Sequence, residues 1–130
     1  MLRCALVATL ATALAWPHAA TAQVVQPRSF SAQTLRGTLQ VTQPPEVLLN
    51  GQPARLSPGS RIRGTNNLLI MSGAIVGEQL LVHYTLDGLG NVHLVWVLTP
   101  AEAARQPWPV SLDEAQRWEF NPSEQTWTRR

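Results

Sequence analysis

Residues 80–98 read LLVHYTLDGLGNVHLVWVL. Leu80, Val82, Tyr84 and Leu86 alternate with Leu81, His83 and Thr85; Val92, Leu94, Trp96 and Leu98 alternate with His93, Val95 and Val97. Successive side chains on a strand point to opposite faces, so both runs predict β-strands. Between them, Asp87-Gly88-Leu89-Gly90-Asn91 supplies residues that tolerate positive φ, and the pair predicts a β-hairpin.

Upstream, Gly37 to Thr42 alternates as a strand stopped by Pro44-Pro45. Glu46 to Leu56 (EVLLNGQPARL) holds Asn50-Gly51 between two apolar arms, the pair favoured in a type I′ turn because both residues need φ > 0. That register sets Leu49 opposite Gln52, Val47 opposite Ala54 and Glu46 opposite Arg55, a cross-strand ion pair worth roughly 0.2–1 kcal/mol. Pro53 cannot donate to a ladder, which predicts an edge position. Ser57-Pro58-Gly59 predicts a turn into a short strand, Arg61-Ile62-Arg63, with both arginines on one face. Leu68 to Met71 predicts a buried strand from its continuous apolar run, and Ala74 to Val76 a brief strand or bend.

Downstream, Thr99-Pro100-Ala101-Glu102 predicts a helix start with a capping box and proline at the first helical position, ended by Gln106-Pro107. Ser111-Leu112-Asp113-Glu114 predicts a second box and a helix of about two turns toward Trp118. WEFNPSEQTW (residues 118–127) predicts a small terminal hairpin that presses Trp118, Phe120 and Trp127 on the core. The fold class is therefore mainly β: a small barrel or sandwich of five to seven short antiparallel strands, with a short C-terminal helical segment and an aromatic tail.

The first residues read differently. Met1-Leu2-Arg3 is a basic start, Ala5 to Trp16 an apolar run, and Ala20-Thr21-Ala22 an A-x-A cleavage signal. The expected organisation is a cleaved signal peptide over 1–22, a flexible leader over 23–35, a β-rich core over 36–99 and a helical and aromatic segment over 100–130. Cleavage near Ala22/Gln23 predicts an exported chain, periplasmic or extracellular, and removes the single cysteine, Cys4. The 108 residues left (130 − 22) hold no disulfide and need an ordinary hydrophobic core. All ten basic residues are arginine; without Arg3, nine face eight acids, a net charge of +1. That balance argues against nucleic acid as a partner. The longest remaining apolar stretch, Leu68 to Val82, is interrupted by Ser72, Gly73, Gly77, Glu78 and Gln79, so no membrane span is predicted.

Few residues carry chemistry. His83 and His93 share a predicted strand face; with Leu86 opposite Val92 they become diagonal neighbours able to share copper or zinc, whereas a solvated or covered sheet face needs no metal. Arg61 and Arg63, with Arg55, can form an anion-binding patch or a plain solvated face. Trp108, Trp118 and Trp127 can act as binding anchors or staple the tail to the core, and Trp108 between Pro107 and Pro109 suits a docking strand. No G-x-S-x-G or H-E-x-x-H occurs, and Asp113, Glu114 and Glu119 suit a helix dipole, so neither catalysis nor a cofactor is expected.

VLLNGQPARLSPGSRIRG, GEQLLVHYTLDGLGNVHLVWVLTPAEA and WEFNPSEQTW together resemble a group of small exported bacterial proteins of unassigned function, which implies export and a compact fold. GEQLLVHYTLDGLGNVHLVWVL is also similar to the central hairpin of SH3-like or OB-like barrels. The expectation is a non-enzymatic module that binds an envelope protein or peptide. The competing expectations are a small-ligand or metal carrier using His83 and His93, and a self-assembling structural component.

Overall fold

The computed structural model describes Pro17 and residues 27–130; apart from Pro17, the predicted signal peptide and residues 23–26 lie outside it. Five strands close into a barrel: β1 (Leu35–Gln43), β2 (Glu46–Leu49), β3 (Gln52–Arg63), β5 (Gln79–Leu86) and β6 (Val92–Val97). Around the ring the order is β1, β2, β3, β6, β5 and back to β1, and a two-residue strand, β4 (Leu69–Ile70), adds to the outer side of β3. Leu35, Leu39, Val41, Val47, Leu56, Ile62, Val82, Tyr84, Val92 and Val95 fill the interior, with Ile75 of a 3₁₀ turn (Ser72–Ile75) packed among them. Two short helices follow, α1 (Pro100–Ala103) and α2 (Leu112–Arg117), then a separate hairpin of β7 (Glu119–Asn121) and β8 (Thr126–Thr128).

The β2–β3 hairpin has the predicted register, from Leu49 opposite Gln52 to Glu46 opposite Arg55. Asn50 and Gly51 both take positive φ, 53° and 78°, and the Glu46–Arg55 pair forms at 3.6 Å on the surface. Pro53 faces Leu48, one pair away from the turn. The missing N–H there points away from β2, so the proline is tolerated although its strand closes a barrel.

Four expectations change. All ring pairings are antiparallel except β3 with β6, which is parallel. The chain leaves β3, crosses the barrel end through residues 64–78 and runs back in β5, so β6 emerges in the direction of β3. Ser57-Pro58-Gly59 is not a turn but an irregular stretch inside one twelve-residue strand, where β3 passes from β2 to β6. Leu68 to Met71 is not a buried strand: only Leu69 and Ile70 pair with β3, and Leu68, Leu69 and Met71 are 64, 62 and 80 % exposed. An apolar run is buried only where a second layer meets it, and β4 lies at the rim.

The fourth change lies in the 80–98 hairpin. Leu86 does face Val92, but the next pair is Tyr84 with Val95. One extra residue on β6 makes a bulge at His93–Leu94, held by the Leu94 N–H donating to Thr85 Oγ1 at 3.2 Å. The faces of β6 therefore exchange part-way. Val92 and Val95 both point inward, and Trp96 moves to the outer face beside His83.

Candidate functional site

Arg36 of β1 lies opposite His83 of β5, and His83 lies opposite Trp96 of β6. On a barrel wall such a row ordinarily meets water. Here it is roofed by Phe30, from the segment before β1, and by Trp108, from the segment between the helices. Trp108 stacks on His83 at 4.2 Å between ring centroids, and Phe30 meets His83 edge-on at 4.4 Å and Trp96 at 5.3 Å. Trp127 and Phe120 of the terminal hairpin extend the cluster, 4.8 Å apart.

Backbone bonds hold this roof in place. The Trp108 Nε1–H donates to the Thr34 carbonyl at 2.9 Å, and the Arg36 N–H donates to the Pro109 carbonyl at 2.9 Å. The Gln125 carboxamide accepts from the Phe30 N–H at 2.7 Å and donates to the Phe30 carbonyl at 3.2 Å. Residues 28–34, expected to belong to a flexible leader, are thus pinned to the barrel.

The Arg36 guanidinium donates from Nε and Nη2 to His83 Nε2, each at 3.2 Å. It also donates to the carbonyls of Glu102 at 2.9 Å and Ala103 at 3.2 Å. Because Nε2 accepts, the imidazole proton sits on Nδ1, which is buried with no hydrogen-bond partner among the described residues. Burial first, then the Arg36 charge, hold the His83 pKa down to about 3, so the ring is neutral at any ordinary pH.

Glu102 closes the arrangement from α1. Its N–H donates to Thr99 Oγ1 at 3.2 Å and its carboxylate accepts from the Thr99 N–H at 2.9 Å, the predicted capping box. The same carboxylate takes both Nε and Nη2 of Arg28, whose remaining donors reach the Gly64 and Val97 carbonyls. Burial alone would raise the Glu102 pKa; the hydrogen bonds from Arg28 and Thr99 outweigh it and hold the carboxyl below its ordinary value. The second predicted box is half formed. Ser111 Oγ accepts from the Glu114 N–H, but the Glu114 carboxylate turns to the Val110 N–H instead.

The residues singled out in the sequence are dispersed. Trp108 and Trp127 are 5 and 4 % exposed and serve as core, so neither offers an outward anchor; the Trp108 segment docks on this chain's own β1. Trp118 is half-buried at the margin of the cluster, with the Arg129 guanidinium 5.1 Å over its ring. His83 and His93 are not brought together: His83 lies under Trp108, and His93 Nδ1 bonds Ser57 Oγ at 2.9 Å on β3. The bulge separates them, and no group of three metal-ligating side chains occurs among the described residues. Arg61 is exposed, and Arg63 donates to the Asn67 carbonyl at 2.9 Å; Arg63 faces Leu69 of β4.

Sequence reasoning missed Arg28, Arg36 and the second role of Glu102. Pairing Gly37–Thr42 with residues 80–86 would have set Arg36 on the His83 face; Arg28 carried no local signal. Among the described residues no helix is long and apolar enough to cross a membrane. Fold and face together define a small closed β-barrel whose outer wall is roofed by the segments flanking it. Comparison with family models, with curated proteins and with solved structures finds no match.

Proposed function

We propose that this chain is a non-enzymatic binding module of the cell envelope, exported by its first 22 residues, which takes up an extended segment of a partner protein along β4. The observation that carries this reading is the exposure of Leu69 on the outermost strand of the sheet and of Leu68 and Met71, which flank it. An edge strand presents unpaired backbone donors and acceptors, and an added strand satisfies them while its alternate side chains cover apolar neighbours. A groove of about 390 Å³ beside β4, lined by Leu68, Leu69, Ile70, Ile75 and Leu80 among others, suits an apolar side chain of that segment. Arg61 and Arg63 on the adjoining strand have no carboxylate partner among the described residues, and Glu78 lines the groove itself, so the segment places an acidic residue over β3 and apolar or basic residues in the groove.

A photo-crosslinking residue at Met71, in protein produced in its own host, tests the reading. One dominant adduct with an envelope protein is expected, lost in Leu69→Asp and retained in Leu112→Asp, which alters an exposed leucine on α2. Adducts unchanged by Leu69→Asp would sink it.

A second reading rests on connectivity. A ring of β1, β2, β3, β6, β5 with a parallel β3–β6 pair is the strand order of OB-type barrels, which take ligands over their second and third strands between two loops. A cleft of about 540 Å³ lies there, lined by Pro44, Pro45, Pro58, Leu89 and Asn91 among others. It favours a small-ligand carrier that uses neither histidine as a metal ligand. Titration with short oligosaccharides should shift the Leu89 and Asn91 amides, and unmoved amides would leave β4 as the functional edge.

A further inference from the structure

A second cleft, of about 420 Å³, opens at the margin of the roofed face and is lined by Arg36, Gln106, Pro107, Trp108 and Arg129. We propose that it is a binding site for a compact oxyanion, a carboxylate or phosphate group held between the guanidinium groups of Arg36 and Arg129.

Charge accounting around Arg36 supports this. Ion pairs among the described residues join Arg28 to Glu102, Arg55 to Glu46 and Arg130 to Glu119; neither Arg36 nor Arg129 takes part. Residues 1–26 contain no aspartate or glutamate that could supply the missing partner. Arg36 is 8 % exposed, and among the described residues its acceptors are all uncharged: the His83 ring and two backbone carbonyls. The nearby carboxylate, Glu102, is already gripped by Arg28. Three cations, Arg36, Arg28 and Arg105, thus act on His83 against one anion, Glu102. Buried charges are ordinarily paired, and a guanidinium left with neutral acceptors keeps most of its field for an incoming anion.

The donors suit the ligand. Arg36 uses four of its N–H groups in these bonds and keeps one on Nη1 among the described residues. Arg129 approaches from the other strand system, steadied over the Trp118 ring. Gln106 adds a carboxamide donor, and among the described residues no acidic side chain lines the cleft. Charge-assisted bonds of this kind are the strong ones, and removing one weakens affinity by about tenfold or more.

The test is an NMR titration of the protein with sodium phosphate and, separately, sodium citrate, at ionic strength held constant with sodium chloride. The Trp108 indole N–H and the Arg36 Nε–H report the site. Saturating shifts with either anion are expected, weakened about tenfold in Arg129→Gln and abolished in Gln106→Glu, which places a carboxylate in the cleft. Both substitutions alter exposed positions, and an otherwise unchanged spectrum verifies their fold. Saturation by citrate alone identifies a carboxylate ligand and by phosphate alone a phosphate. Shifts that grow linearly without saturation, or equal affinity in Arg129→Gln, would overturn the proposal.

Discussion

Replacing Trp108 by alanine separates a core ring from a surface anchor. The sequence places this residue in an extended Pro-Trp-Pro segment, where truncation would weaken a partnership and leave the fold intact. In the structure the ring is 5 % exposed, stacks on His83 at 4.2 Å and donates to the Thr34 carbonyl at 2.9 Å. Removing a buried aromatic ring costs about 3–5 kcal/mol through lost transfer energy and the cavity left behind. The orphaned Thr34 carbonyl adds part of the roughly 1–3 kcal/mol of an unsatisfied buried acceptor, less where water enters the hole. A loss of about 4 kcal/mol is a large share of a domain stability of roughly 5–15 kcal/mol. It should lower Tm by about 15–30 °C for a domain of this size. Urea unfolding followed by far-UV circular dichroism measures it, beside Trp118→Ala, which removes a half-buried ring and should cost about 1–2 kcal/mol. A Trp108→Ala midpoint equivalent to less than about 1 kcal/mol would refute the packing argument.

Stability should also depend on pH through His83. Its pKa is about 3 in the folded chain against an ordinary 6.5, so between those values the unfolded chain binds a proton that the folded chain does not. Stability is then full above about pH 6.5 and declines as pH falls toward 3; His83→Gln, which keeps an acceptor for Arg36, should flatten that slope in urea titrations, and an unchanged slope would assign it elsewhere. Gly37→Ala probes the turn from the opposite strand. An added Cβ would stand 2.8 Å from Asn50 Oδ1, which accepts from the Thr38 N–H, so about 1–3 kcal/mol should be lost and the Thr38 amide should exchange faster. A Thr38 amide as protected as before would contradict that contact.

Features specified within a few residues were legible in the sequence. Asn50-Gly51 accepts one turn type, and that turn alone determines every pair from Leu49–Gln52 to Glu46–Arg55. Thr99 and Glu102 satisfy each other across one helical turn, so the α1 cap needed no tertiary information. What escaped depends on distant partners. The β6 bulge is stabilised by Thr85 on one neighbour, and His93 beside it bonds Ser57, 36 residues earlier; without them the period-two pattern puts Trp96 on the wrong face. Leu68 to Met71 resembles core because periodicity reports hydrophobicity and not what lies opposite. Arg36 looks like any surface cation until Trp108 and the carbonyls of Glu102 and Ala103, more than sixty residues on, cover it.

The Gln125 carboxamide bonds both backbone groups of Phe30 across 95 residues of chain, and Trp127 adds its ring two positions later. The barrel strands all precede Thr99, so the ladder and the Trp108 side of the roof can form before that clasp exists; the anchoring of Phe30 cannot. Contacts at such separation form late because the intervening chain must first be ordered. A product shortened before residue 119 would therefore keep a barrel while loosening Phe30 and baring the side of Trp108 that meets Phe120 and Trp127. Such a chain would expose apolar rings to proteases, so the Gln125 clasp and the Trp127 ring protect the segment before β1 as well as their own hairpin.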